Sequence, residues 1–155
     1  MTLDEELIVL LKKEIDILIK IKEITFNKTD IIVSNSVDEL ENTTKIEEDL
    51  INKLATKEIE REKLLDSWGL VKNMPISEII EKVPKGQNEL NDLREKLTML
   101  LSDIQSINTV NNELIQENLQ WLDFNMNLIY NIQTPPTYGK EEKKQGSNSL
   151  FDRKV

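Results

Sequence analysis

Carboxylates are the only abundant side chains in this sequence that could carry out acid-base chemistry. The chain of 155 residues contains 29 Asp and Glu but no His and no Cys. A pair of carboxylates can act as general acid and base, but here the acidic residues lie beside Lys on helix-like segments, as on a solvated face. Without imidazole or thiol groups, the chain lacks the usual bases, nucleophiles and metal ligands. We therefore expect no enzymatic activity, no metal and no cofactor.

The composition also disfavours phosphate and nucleic-acid ligands. The four glycines lie too far apart to form a phosphate-binding loop. Three arginines, Arg61, Arg94 and Arg153, are too few to clamp a dicarboxylate substrate. The formal net charge of −9 repels nucleic acid and anionic membrane surfaces. Neutral or basic protein partners fit this charge better.

The N-terminal sequence predicts neither a secretion signal nor a membrane helix. Residues 1–6 are acidic where a signal peptide would be basic. The longest apolar run, residues 7–11, is far shorter than the roughly 20 residues that a membrane span needs. These features favour a cytoplasmic protein.

Helical periodicity without strand-like alternation predicts an all-α fold. Thr2 and Glu5 have the spacing of a capping box at the start of a first helix, over about residues 3–32. Its apolar residues fall on two adjoining rows, which predict a helix with two neighbours. The rows are Leu7, Leu10, Ile17, Ile21 and Ile24, and Ile8, Leu11, Ile15 and Leu18.

A second long helix and a short connector helix follow. Ser36 opens a capping-box pattern for a helix over about residues 37–68, and Gly69 suits a left-handed helix end. The short turn before Ser36 predicts that the first two helices are antiparallel neighbours. The connector helix, over about residues 76–83, has one apolar side and ends at Pro84. We expect it to cap the end of a bundle.

The third long helix, over about residues 88–132, changes its surface halfway along. Up to Ile107, positions at alternating spacings of three and four are Leu or Ile, as in a coiled coil. Beyond Ile107, asparagines enter this pattern, the apolar stripe shifts sideways and aromatic residues appear. The asparagines are Asn111, Asn118 and Asn125, the shifted stripe is Ile115, Leu119, Leu122, Met126 and Ile129, and the aromatic residues are Trp121, Phe124 and Tyr130.

This distal surface has several interpretations. Asparagine at a coiled-coil position fixes register or partner number, but it could also reflect the Asn-rich composition or contact an incoming helix. The aromatic residues are either core or binding anchors. At 1.5 Å per residue, the third helix is roughly 20 Å longer than either of the first two. We therefore expect its distal part to lack a partner within the chain, and an unpartnered apolar stripe is typical of an interaction surface.

The helices together predict one domain over residues 1–132, an elongated antiparallel bundle or coiled coil of three long helices and one short connector helix. Residues 133–155 contain Pro and Gly and carry a net charge of +2, with five Lys or Arg against three Asp or Glu. We expect them to form a flexible C-terminal tail. The segment 150–153 contains two adjacent apolar residues, and it is either a docking motif or an ordinary terminus.

Several motifs in the second half of the chain occur together in one known family. They are Asn108-x-x-Asn111-x-x-Leu114-Ile115, then Asn118-Leu119, the apolar run 121–130, Tyr138-Gly139 and the terminal segment 149–155. In this combination, and in its layout of helices, the chain resembles the FlgN family of flagellar export chaperones.

The resemblance implies a cytoplasmic, non-enzymatic chaperone that binds the two hook-associated, or hook-filament junction, proteins. Such a chaperone shields the terminal segments of its clients from premature assembly and delivers them to the type III export apparatus. It leaves open the preferred client, a contact with the export gate, and whether the chain is a monomer or a weak homo-oligomer. With the unpartnered stripe, it predicts these partner-binding residues: Asn111, Leu114, Ile115, Asn118, Leu119, Trp121, Leu122, Phe124, Asn125, Met126 and Ile129.

Two other classes of protein are alternatives. One is a structural coiled-coil protein that self-associates through the third helix, and the other is a small helical enzyme. A concentration-independent monomer mass would argue against the first. A surface without a deep polar pocket would argue against the second.

Overall fold

The computed structural model describes residues 2–130, with side chains through residue 120. Within this range the chain forms α1 (Leu3–Val33), α2 (Val37–Ser67), α3 (Ile76–Lys82) and α4 (Gln87–Tyr130). No strand occurs in residues 2–130, so the predicted all-α class, with three long helices and one short one, is confirmed. The predicted tail over 133–155 and the predicted helix end at 132 lie outside the described residues.

The starts of α1 and α2 differ in how they are capped. At α1, the Thr2 backbone N–H donates to the Glu5 carboxylate at 3.2 Å, as the capping pattern predicts. At α2, Ser36 is the residue before the helix, but its side chain makes no capping hydrogen bond. The Ser36 backbone N–H donates instead to the Ile31 carbonyl of α1 at 3.4 Å. The second predicted capping box is therefore wrong, because the tight turn already uses the donor that the box requires.

Both long helices of the N-terminal half end with a residue in the left-handed region. Asn35 has φ 57° and follows α1, whereas Gly69 has φ 76° and follows α2, as predicted. The Leu70 backbone N–H then donates to the Leu65 carbonyl at 2.9 Å, which closes the end of α2. The turn at Asn35 is short enough to fold α2 directly back along α1, and we call α1, this turn and α2 the hairpin.

Contacts across the hairpin confirm that α1 and α2 run antiparallel. Glu47, near the start of α2, lies beside Thr25, near the end of α1. Arg61, near the end of α2, donates to Glu14, near the start of α1, at 3.4 Å. The side chains of Glu14 and Arg61 are only 2% and 11% exposed, so this is a buried ion pair between the two helices.

α4 runs parallel to α1 and antiparallel to α2. Lys22 of α1 pairs with Asp103 of α4 at 2.9 Å, and Thr29, further along α1, bonds to Asn111, further along α4. α1 packs extensively against both α2 and α4, as its two apolar rows predict. α1 is therefore the central helix, and the core lies along both of its sides.

The short helix α3 caps the end of the bundle, as predicted. Four apolar residues in and just after it belong to the same core as the long helices. Their burial holds the start of α4 beside the start of α1, which sets the parallel direction of these two helices. The four residues are Ile76, Ile79, Ile80 and Val83.

Candidate functional site

A buried asparagine links α4 to α1 near the turn end of the hairpin. Asn111 is only 2% exposed. Its Oδ1 accepts a hydrogen bond from the Thr29 hydroxyl at 2.6 Å, and its Nδ2 donates to the Thr25 carbonyl at 3.0 Å. Among the interpretations of Asn111, this geometry favours the one in which a buried asparagine fixes how the helices align. Because both ends of its amide are bonded within the chain, Asn111 does not present a partner-binding surface in this conformation.

The polar contacts around Asn111 extend to α2, and we call this set of contacts the polar layer. The Thr25 hydroxyl donates to the Ile21 carbonyl at 2.7 Å and lies 3.2 Å from Glu47 Oε2. Lys28 donates to the other oxygen of Glu47, also at 3.2 Å. Polar groups of all three long helices thus meet at one level of the bundle. Hydrogen bonds at this level have directional requirements that apolar packing lacks, so the layer specifies how the helices align.

The closely packed part of α4 ends at this polar layer. Ile104 is 1% exposed and Asn111 is 2% exposed. No side chain of α4 in residues 112–120 is fully buried. The surface of α4 therefore changes near the position at which the sequence pattern changes.

Two helical turns further along, Asn118 joins α4 to the hairpin turn. Its Nδ2 lies within bonding distance of the Ile32 carbonyl, at 3.4 Å, and of Asn35 Oδ1, at 3.1 Å. Carbonyl groups in the last turn of a helix lack partners within the helix, so Asn118 supplies a donor to the end of α1. This contact places residue 118 level with the end of the hairpin.

Beyond Asn118, α4 continues for twelve residues to Tyr130. At 1.5 Å per residue this segment is about 18 Å long, close to the length difference that the sequence predicts. The backbone here is helical, but the side chains of six predicted partner-binding residues lie outside the described ones. They are Trp121, Leu122, Phe124, Asn125, Met126 and Ile129, and their role stays a prediction.

An apolar groove of about 200 Å³ lies where α4 passes the hairpin turn. We call it the hairpin-tip groove. Leu119 and Val37, on its two walls, are 41% and 67% exposed. Leu114 is half-buried and is not part of the lining. The groove is lined by Ile31, Ile32, Asn35, Ser36, Val37, Leu40, Ile115, Asn118 and Leu119.

Sequence reasoning identified only one wall of this groove. Ile115, Asn118 and Leu119 of α4 were predicted to bind a partner, and the structure brings them together. The opposite wall, from the end of α1 and the start of α2, was missed. Its signal in the sequence is the pair Val37 and Leu40, two apolar residues one turn apart beside a turn.

A second, larger groove of about 590 Å³ runs between α1 and α4 near the middle of the bundle. Ile19 and Met99, in its walls, are 42% and 65% exposed. Its polar lining combines three lysines with two aspartates, and the Lys22–Asp103 ion pair belongs to it. It therefore offers an apolar strip between charges of both signs.

The described residues include neither a metal site nor a membrane helix. No group of three or more acidic side chains in the described part of the chain is placed to hold a metal ion. None of the described helices is long and apolar enough to cross a membrane.

The fold and its grooves define a class: a small helical protein whose longest helix continues past the hairpin turn and whose described residues form apolar grooves beside it. A family model described as FlgN protein matches residues 1–146. The chain therefore belongs to the FlgN family, a family of flagellar export chaperones, and the resemblance seen in the sequence is confirmed. Comparisons with curated proteins and with solved structures found no match.

Proposed function

We propose that this protein is a cytoplasmic chaperone for the hook-associated, or hook-filament junction, proteins. It binds their disordered terminal segments, prevents premature assembly and delivers them to the type III flagellar export apparatus. Membership of the FlgN family supports the general role in flagellar export. The hook-associated clients and the delivery step are the part that we propose.

The observation that carries the proposal is the extension of α4 beyond the hairpin. The last twelve residues of α4 follow the contact between Asn118 and the hairpin turn. Their sequence continues the apolar stripe of Leu119, and Leu119 is 41% exposed. Apolar surface that remains open after folding is available to a client.

The proposed client surface combines the groove wall of α4 with this extension. Its members are Leu114, Ile115, Asn118, Leu119, Trp121, Leu122, Phe124, Asn125, Met126 and Ile129. Asn111 is left out because it is buried between α4 and α1. A helical groove of this kind captures an amphipathic segment through apolar residues spaced three and four apart.

The energetics of capture suit a carrier that must release its client. A disordered segment that becomes helical on binding loses conformational entropy, which offsets several kcal/mol of the contact energy. The net affinity is therefore moderate. Release at the export gate then requires no ATP hydrolysis by this chain.

Affinity purification from a flagellated cell lysate tests the proposal. The tagged full chain is the bait, and mass spectrometry identifies the proteins that it retains. We expect at least one hook-associated protein to be enriched over a tag-only control. Absence of both junction proteins would contradict the proposal, and light scattering that shows a mass rising with concentration would support the self-associating coiled coil instead.

A further inference from the structure

The hairpin-tip groove lies in a strongly acidic part of the molecule. Residues 29–44, around the hairpin turn, and residues 110–120 of α4 contain six carboxylates and no Lys or Arg. The chain as a whole has 20 basic against 29 acidic residues, so this segregation exceeds the general excess of acid. The six are Asp30, Asp38, Glu39, Glu41, Glu113 and Glu117, and all of them are exposed.

Only part of this charge is explained by helix stability. Asp38 and Glu39 lie in the first turn of α2, where acidic side chains interact favourably with the helix dipole. Glu41 lies beyond that turn, one helical turn after Val37 of the groove wall. Two lysines border these segments: Lys28, before the turn, is paired with Glu47 at 3.2 Å, and Lys45 lies one turn after Glu41 in α2. The six carboxylates outnumber them. The potential over the groove is therefore negative.

The groove itself is suited to one apolar side chain. An apolar cavity of about 150 Å³ takes up a benzene ring, and this groove has a volume of about 200 Å³. Its two amides, Asn35 and Asn118, bond to each other at 3.1 Å. The remaining surface is largely aliphatic, so an aromatic or large aliphatic side chain is the fitting occupant.

The larger groove between α1 and α4 lacks this charge preference. Its lining includes Lys12, Lys22 and Lys96 together with Asp16 and Asp103. A partner would meet both signs of charge there. Electrostatics therefore distinguish the two grooves, and only the hairpin-tip groove selects by charge.

We propose that the hairpin-tip groove binds a client segment in which an apolar anchor is flanked by Lys or Arg. This inference rests on the proposed function, because it names the chemistry of the segment that the chaperone captures. The anchor enters between Val37 and Leu119, and the flanking cations lie in the negative potential of the tip. Complementary charge speeds the encounter and discriminates against segments with acidic flanks.

Two fluorescein-labelled peptides with one amphipathic apolar pattern test the charge preference. One carries Lys and the other Glu at the positions that flank the apolar anchor. Fluorescence anisotropy with the full chain should show that the Lys peptide binds about tenfold more tightly or better at low ionic strength. The preference should shrink as salt is added, because salt screens exposed charges. Equal binding of both peptides, tighter binding of the Glu peptide, or no binding of either would overturn the inference.

Charge variants locate the effect. The double variant Asp38→Lys with Glu41→Lys should lose most of the preference for the Lys peptide. The control Glu81→Lys with Glu95→Lys makes the same change in net charge at exposed sites near the other end of the bundle. It should keep the preference. Equal loss in both variants would show that overall charge, not the groove, is responsible.

Neutral variants test the groove itself. Val37→Ser with Leu40→Ala removes apolar surface from the wall without changing charge, and should weaken the Lys peptide at least fivefold. Val9→Ser, at an exposed position of α1 far from the groove, should have no effect. Unchanged binding in the wall variant, with circular dichroism showing an intact helical fold, would contradict the inference.

One competing occupant comes from the chain itself. Residues 150–154 have two apolar residues followed by an acid and two basic residues. The variant Leu150→Ser with Phe151→Ser, which leaves the net charge unchanged, should bind the Lys peptide with unchanged affinity. Tighter binding would show that this segment fills the groove and would overturn the assignment to a client.

Failure of this inference is distinguishable from failure of the proposed function. If a junction protein co-purifies but the peptides show no charge preference, only the inference fails. If no junction protein co-purifies, the proposed function fails whatever the peptides do.

Discussion

Replacement of Asn111 by Ala should show how much the polar layer contributes to stability. The substitution removes an acceptor from the Thr29 hydroxyl and a donor from the Thr25 carbonyl. Each hydrogen bond contributes about 1 kcal/mol net, so the loss is about 2 kcal/mol. Alanine favours a helix over asparagine by up to about 0.7 kcal/mol, which offsets part of this loss.

A matched control separates these two effects. Asn112 is the next residue of α4 and is exposed, so Asn112→Ala has the gain in helix propensity without the lost bonds. Urea unfolding followed by circular dichroism at 222 nm should place Asn111→Ala about 2 kcal/mol below Asn112→Ala in free energy of unfolding. In a chain of this length this corresponds to a melting temperature lower by about 4–8 °C. Equal free energies for the two variants would refute the polar layer as a specific interhelical contact.

Further predictions concern turns, charges and the C-terminal segment. Gly86→Ala should lower the melting temperature more than Gly69→Ala: both glycines have positive φ, but only at Gly86 would the added Cβ meet another side chain, at 3.2 Å. Arg61→Ala should cost about 3 kcal/mol in urea unfolding because it breaks a buried ion pair between α2 and α1, whereas Lys12→Ala, in an exposed pair, should cost under about 1 kcal/mol. Removal of residues 133–155 should leave the melting temperature nearly unchanged, and a fall of many degrees would show that this segment packs on the bundle.

Patterns that depend on one helix were the most predictable part of the fold. The two apolar rows of α1 predict two neighbours because burial of a wide stripe requires them, and α1 is the central helix. Gly69 predicts a left-handed helix end because glycine has no Cβ to oppose positive φ. The capping pattern at Ser36 failed because its backbone N–H belongs to the preceding turn.

Features that depend on two helices at once were less predictable. The spacing of Asn111 fits a core position, a drift in composition or a partner contact. The choice depends on the hydroxyl and carbonyl groups that α1 places opposite it, at Thr29 and Thr25. The hairpin-tip groove was half predicted for the same reason. Its α4 wall continues a visible stripe, whereas Val37 and Leu40 join it only after the hairpin folds.

Client binding by a variant of the α4 stripe tests the central claim most directly. Leu119→Asp with Leu122→Asp places two charges in the proposed client surface, and Met99→Asp places one on an exposed residue of the other groove as a control. Each protein is titrated against a labelled terminal peptide of a hook-associated protein, with circular dichroism recorded alongside. We expect the double variant to lose binding with helicity and melting temperature nearly unchanged, and the control to bind like the unaltered chain. Full binding by the double variant, or its unfolding, would contradict the claim that this stripe is a surface left open for the client.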